Sequence, residues 1–266
     1  MKYTARKIAA HKATDIPVPI AVVTAYDAIT GRIADAAGVQ VVLVGDSLGN
    51  TALGFESTIP VTMEMMLHHT AAVRRGVKNA VVVADMPFMS YQASQAEGIA
   101  NAGRLIQQAG ADAVKLEGGA MRAALIKELI ANGIPVMAHI GLLPQSHKAA
   151  GYTIRGGNDS ESALLKADLE AVVEAGAFCV VLECVRAKLA AELTAMSPVP
   201  TIGIGSGSAC DGQVLVMTDI LGLTDGEPPK FVKRFANLGA QASAAVSEYV
   251  SAVQTRAYPD AEHSYN

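Results

Sequence analysis

Ala109-Gly110-Ala111-Asp112-Ala113-Val114-Lys115-Leu116-Glu117 is the stretch on which the fold turns. It has the form of a helix closing on glycine, then a short buried strand, then an acid where the strand stops. Glycine supplies the left-handed cap that ends a helix, and the apolar run supplies the strand. The same unit occurs twice more. Ala37-Gly38-Val39 leads through Val41-Val42-Leu43-Val44 to Asp46, and Ala175-Gly176-Ala177 leads through Val180-Val181-Leu182 to Glu183. A chain built this way alternates helices and strands and gathers acids at the strand ends.

Extended outward, the unit predicts eight strands: Ala21–Ala25, Val39–Val44, Ala80–Ala84, Ala113–Leu116, Ile134–Ala138, Ala177–Leu182, Pro200–Ile204 and Gln213–Met217. Helical patterns fall between most of them. Ser94 with Glu97 has capping-box spacing, and Thr62 with Glu64 in the first turn marks another helix start. Alternation implies a parallel sheet with right-handed crossovers. Eight strands favour a closed (β/α)8 TIM barrel over an open sheet, and 266 residues suit one such barrel. Two connections are long, Ser47 to Pro60 and Gly141 to Asp159. Both fall after strands, on the face where barrel enzymes build their sites, and their mixture of glycine and apolar residues predicts ordered lids. With no linker or low-complexity tract, residues 1–266 are expected to form one domain whose polar tail, about 257–266, frays.

Composition narrows the classes. Hydrophobic residues make up 51% of the chain and aromatics 5%, which suits parallel strands packed on small-residue helices. A net charge of -4 offers no basic footprint for nucleic acid. Every apolar stretch is interrupted long before the ~20 residues that span a bilayer, and no apolar run follows the basic N-terminus to make a signal peptide. Three cysteines, Cys179, Cys184 and Cys210, two of them in apolar surroundings, argue against a disulfide framework. Together these predict a cytoplasmic protein with a small-molecule substrate and no membrane or nucleic-acid partner.

The strand ends carry Tyr26 and Asp27, Asp46 and Ser47, Asp85, Lys115 and Glu117, His139, Glu183 and Ser206. Lys115 and Glu117 are two apart on one strand and face the same way. A lysine in a buried apolar strand is costly unless paired or functional. Carboxylates converging on one mouth repel unless a cation sits among them, and an oxygen-rich set suits Mg²⁺ or Mn²⁺ rather than Zn²⁺. Each residue also has a purely structural alternative. Asp46 can cap the loop after it, Asp85 can start the turn at Met86-Pro87, and Lys115 with Glu117 can form a rim ion pair. His139 can be a satisfied core imidazole, and Glu183 can be a helix N-terminal acid favoured by the macrodipole. Other signals are weaker. Gly203-Ile204-Gly205-Ser206-Gly207 lacks the lysine of a P-loop, so tight turning explains it better. His68 and His69 sit in a helical pattern and suit packing, and the cysteines lack metal-ligand spacing.

The runs TAYDAITGRIADAAGV, VLVGDSLGNTALGFESTIPVTMEMMLHHTAAVRRG, VVADMPFMSYQAS, AVKLEGG, PVMAHIGLLPQS, VVLECV and IGIGSGSACDGQVLV span roughly Thr24 to Leu223. They resemble the ketopantoate hydroxymethyltransferase family. The resemblance implies a barrel of the phosphoenolpyruvate/pyruvate type, one Mg²⁺ per subunit, 5,10-methylenetetrahydrofolate as one-carbon donor and a homodecamer. It implies Asp46 and Asp85 as metal ligands, Glu117 as a further metal-site acid, and Ser47 and Lys115 as keto-acid binders. Glu183 would be the general base, and His139 would line the substrate site together with Asp46 and Asp85. Two positions depart from the family's pattern: Arg186 stands where proline is usual, and Thr218 where histidine is frequent. The first bears on the start of the following helix, the second on folate binding or the rim.

The expected reaction is hydroxymethyl transfer onto 3-methyl-2-oxobutanoate through a metal-stabilised enolate. A metal-dependent barrel lyase or mutase of the isocitrate lyase type, without folate, is the nearest alternative; those enzymes carry a catalytic cysteine in a KKCGH-like loop, which is lacking here. A non-catalytic binding protein on the same scaffold would have no need of a base at the sixth strand.

Overall fold

A computed structural model describes residues 2–14, 17–224 and 226–265. The chain falls into two compact units, Met1–Val216 and Met217–Asn266.

The first unit is a closed, all-parallel barrel of eight strands: β1 Ile20–Thr24, β2 Val41–Val44, β3 Val81–Asp85, β4 Ala113–Glu117, β5 Val136–Gly141, β6 Cys179–Glu183, β7 Thr201–Ile204 and β8 Gly212–Leu215. Each strand pairs with its neighbour in sequence, and β1 closes the ring on β8. All eight expected strands form, and the fold is the (β/α)8 barrel expected. The glycines that end the three repeated units take the left-handed conformation, with φ of 85° at Gly38, 75° at Gly110 and 101° at Gly176. Helix starts are capped by side chains: Asp27 accepts from the Thr30 amide at 2.7 Å, Ser94 from Glu97 at 3.2 Å and Thr62 from Met65 at 3.3 Å.

Side chains alternate along a strand, so every second residue enters the barrel. Val22, Leu43, Val83, Met137, Val181 and Ile202 pack together there, joined from the N-terminal segment by Ile8. The same parity continues toward the C-terminal mouth. Val81 and Val83 lead to Asp85, Ala113 leads to Lys115 and Glu117, Met137 to His139, and Cys179 and Val181 to Glu183. On each of these strands the polar side chains stand above an apolar inward series, which is why the sheet holds them side by side, Asp85, Lys115, Glu117 and His139 buried and Glu183 half-buried.

The second unit contains the helices Met217–Ile220 and Leu238–Gln254. The Leu238 amide donates to Leu221 O at 2.9 Å, and the Arg234 guanidinium donates to Thr224 O at 3.0 Å and Gly226 O at 2.6 Å. Among the described residues after Arg256 there is neither helix nor strand, and the Asp260 carboxylate accepts from the Glu262 and His263 amides at 3.0 Å. Asn266, the end of the expected tail, lies outside the described residues. No helix among the described residues is long and apolar enough to cross a membrane.

Candidate active site

One cavity at the C-terminal mouth of the barrel is lined by Asp46, Ser47, Asp85, Lys115, Glu117, His139 and Glu183, all the expected site residues. Ser206 is not among its lining; its hydroxyl donates to Leu182 O at 2.7 Å and accepts from the Val185 amide at 3.0 Å, tying down the turn after β6. Asp27 serves as a helix cap. Tyr26 lies behind the site, with its hydroxyl 2.8 Å from Ser47 Oγ.

Strand register explains the pairings. Asp85 and Lys115 are partners across β3 and β4, and Lys115 Nζ donates to Asp85 Oδ1 at 2.6 Å with both side chains buried. The lysine therefore pairs with Asp85, not with Glu117 as the rim ion-pair alternative required. The other Asp85 oxygen, Oδ2, accepts from the Asp46 amide at 3.1 Å. Glu117 and His139 are partners across β4 and β5, with 3.9 Å between Glu117 Oε1 and His139 Nδ1. His139 Nε2 lies 2.8 Å from Leu142 O and 3.3 Å from Glu183 Oε2. A carbonyl oxygen only accepts, so Nε2 carries the proton and Nδ1 is left as an acceptor, without a hydrogen-bond partner among the described residues.

Four carboxylates share this cavity with a single lysine, and their acidities record the imbalance. Burial, reinforced by repulsion from Asp85, raises Asp46 to about 7; Lys115 and hydrogen bonds offset only part of that. Glu183 is likewise raised to about 7, first by burial and then by Asp46 and Asp85, against the pull of Lys115. Glu117 is pushed well above the ordinary carboxylate range, chiefly by burial. Burial by itself would lower Lys115, but Asp85, Glu117 and Asp46 outweigh it and hold the ammonium charged. His139 is driven well below its usual value by burial and by Lys115, which keeps the imidazole neutral.

The donor chemistry suits a hard divalent cation. Asp46 and Asp85 lie side by side with one lysine among four carboxylates, and Mg²⁺ takes one or two carboxylates while keeping several waters. Among the described residues no three His, Cys, Asp or Glu side chains form a metal cage. Glu117 is turned elsewhere, its Oε2 accepting from the Gln145 amide at 3.0 Å.

Both long connections contribute to the wall. The first contains the short helix Leu48–Thr51 and brings in Thr58; the second opens with Gly141, at the end of β5, and brings in Pro144. Arg155 makes an isolated parallel bridge with Val185, beside Glu183. Arg186, where the resemblance leads us to expect proline, has φ of -54°, a value proline adopts, yet its amide donates to Arg155 O at 3.0 Å. A proline there would lack that bond.

Gly141 opens the second connection against the backbone of Glu183. Its φ is 101°, and an added Cβ would collide with the Glu183 carbonyl oxygen. Gly141→Ala is therefore expected to destabilise the fold by at least about 1–2 kcal/mol from the backbone alone, read by urea denaturation, and to lower activity by shifting Glu183. Wild-type stability and rate would refute this.

The residues not foreseen are Gln145 and Tyr91. Gln145 is 3% exposed and donates through Nε2 to Asp46 Oδ2 and to Met86 O, both at 2.9 Å. Its Oε1 accepts from the Tyr91 hydroxyl at 2.8 Å. The only signal for Gln145 was its place in the long loop after the fifth strand, and nothing marked that amide above its neighbours.

The sequence profile of the family described as ketopantoate hydroxymethyltransferase matches residues 2–261. The 3-methyl-2-oxobutanoate hydroxymethyltransferase of Carboxydothermus hydrogenoformans is 53% identical over 247 residues, 92% of this chain and 90% of that protein. The protein of the same name from Syntrophus aciditrophicus is 51% identical over 247 residues, 92% of this chain and 91% of its own. Among solved structures, phosphoenolpyruvate phosphomutase from Streptomyces platensis subsp. rosaceus superposes with a TM-score of 0.62 at 17% identity, covering 95% of this chain and 88% of that one. That likeness speaks for the barrel alone.

Proposed function

The chain belongs to the ketopantoate hydroxymethyltransferase family, and from that premise we propose that it transfers a hydroxymethyl group onto 3-methyl-2-oxobutanoate, with Glu183 as the base. The observation that carries the assignment of roles is the convergence of acids, lysine and Glu183 on one cavity. Leu43, Val181, Ile204 and Val214 form its apolar wall, which suits the isopropyl end of the keto acid. Lys115 and Ser47 hold the substrate's oxygens, giving orientation and charge stabilisation.

Asp46 and Asp85 would hold Mg²⁺, with Glu117 reaching it through water. When bound, the cation supplies Lewis-acid polarisation of the C2 carbonyl. Glu183 takes the C3 proton. Neutral His139, sharing its Nε2 proton between Leu142 O and Glu183 Oε2, steadies the base and lines the substrate site. C3 then forms a carbon–carbon bond to the methylene carbon of 5,10-methylenetetrahydrofolate as one of that carbon's two bonds to nitrogen breaks, the freed nitrogen taking up the proton that Glu183 removed. Water then replaces the second nitrogen, its oxygen becoming the product hydroxyl and one of its protons going to that nitrogen. With one water consumed, the products are 2-dehydropantoate and tetrahydrofolate. The same family reading supports a homodecamer working in the cytoplasm.

Turnover with keto acid, methylenetetrahydrofolate and Mg²⁺ tests the proposal. Formation of 2-dehydropantoate that needs the folate and stops with chelator is the expected result; cleavage or rearrangement of an acid without folate would replace it with a lyase or mutase reading.

The raised pKa of Glu183 also predicts a pH profile. Only the ionised carboxylate accepts a proton, so the rate rises with pH through a limb near 7 and levels above it. Added positive charge moves the limb down, so it lies lower at saturating than at limiting Mg²⁺. A rate that climbs as pH falls would contradict the assignment.

A further inference from the structure

We infer that Gln145 is a positioning residue that sets which oxygen Asp46 and Glu117 present to the cavity, and so ties the placement of the loop after β5 to the readiness of the site. The inference rests on the functional reading above for what the site binds.

The amide has one permitted orientation. The Tyr91 hydroxyl accepts from the Glu117 amide at 3.1 Å, so its own proton is available to Gln145 Oε1 at 2.8 Å. Gln92 Nε2, which can only donate, lies 3.1 Å from the same oxygen. On the other side Nε2 faces two acceptors, Asp46 Oδ2 and Met86 O. A flipped amide would set oxygen against carboxylate and carbonyl, and NH₂ against NH₂. With the amide fixed, Asp46 Oδ2 is occupied and Oδ1 is the oxygen left for a ligand. The backbone amide of the same residue occupies Glu117 Oε2 and leaves Oε1 toward His139. One residue of the loop thus orients acids that follow β2 and end β4. Because the contacts to Asp46, Glu117 and Met86 O are buried, displacing the loop would leave these acceptors without these donors.

Partners that orient a metal's ligands typically change affinity or activity by about 10- to 100-fold when removed. Gln145→Ala is expected to raise the Mg²⁺ Kd by about that factor, measured by calorimetry on the folded protein without substrate. Tyr91→Phe leaves Gln145, Asp46 and Glu117 intact but removes one of the bonds that hold the amide in place, and should move the Kd in the same direction by a smaller factor. In both variants kcat should fall more than KM for the keto acid rises, because the acids remain present but misdirected. A folded Gln145→Ala variant that binds Mg²⁺ like the wild type overturns the inference. If that variant does not fold, an unchanged Kd in Tyr91→Phe overturns it and a raised one sustains it. Failure of the functional reading shows separately, as a wild-type protein that binds no Mg²⁺ and turns over no keto acid, and it would take this inference with it.

Discussion

Glu183→Gln is expected to lose C3 hydrogen–deuterium exchange on 3-methyl-2-oxobutanoate by at least about 100-fold, the contribution of a well-placed general base. The substitution keeps the size of the side chain and its contact with His139 Nε2, at 3.3 Å in the native protein. Asp46, Asp85 and Lys115 are untouched, so Mg²⁺ and keto acid should still bind. Loss of exchange with binding retained separates a proton-transfer role from a structural one. Normal exchange in the variant would remove Glu183 from that role. The alternative of a helix N-terminal acid favoured by the macrodipole fails on the geometry, since the next helix, Ala187–Met196, has no acid in its first turn.

The second large effect is on the buried ion pair. Lys115→Met should destabilise the protein by about 3–5 kcal/mol at neutral pH, because it leaves Asp85 buried without its counter-charge. Both partners are almost inaccessible, at 5% and 3% exposure, so solvent does little to soften the loss. Lys115 also lowers the pKa of Asp46; without it Asp46 rises further. The folded variant then takes up protons more readily than the unfolded chain. Its stability deficit therefore shrinks as pH falls and the carboxyls are neutralised. Urea denaturation across pH 5–8 measures this directly. A variant within about 1 kcal/mol of wild type at neutral pH would mean that the pair does not hold Asp85's charge in place.

How far the sequence anticipated this follows from particular residues. The barrel was legible because three copies of one unit state the helix end, the strand and the acid in order. Strand starts were placed too early at Val39, Ile134 and Ala177, for a shared reason. Each is the apolar residue after a helix-ending glycine, and each amide bonds back to the helix, to Ala34, Leu129 and Val172 respectively. That bond completes the helix cap, so the strand begins a little later, at Val41, Val136 and Cys179. An apolar residue serving a helix cap is indistinguishable by type from one opening a strand.

The acids were legible because strand ends are few and all face one mouth. Asp85, Lys115, Glu117, His139 and Glu183 sit on the inward parity that the apolar residues below them define. Gln145 and Tyr91 were not, because their importance depends on partners 99 and 54 residues apart in pairs brought together only by the closed ring. No local pattern distinguishes a buried amide hub from a loop glutamine. Arg186 is intermediate. Its departure from the family pattern was visible, whereas the backbone bond it permits to Arg155 was not.

In the proposed mechanism, acids at the barrel mouth hold a divalent cation while Glu183 removes the C3 proton. The most direct measurement is C3 hydrogen–deuterium exchange by the wild-type protein in D₂O, without folate, with Mg²⁺ and then with chelator. Exchange that occurs with Mg²⁺, disappears on chelation and returns when Mg²⁺ is restored is the predicted result. Exchange that survives chelation, or that fails to occur with Mg²⁺ and keto acid present, would contradict it.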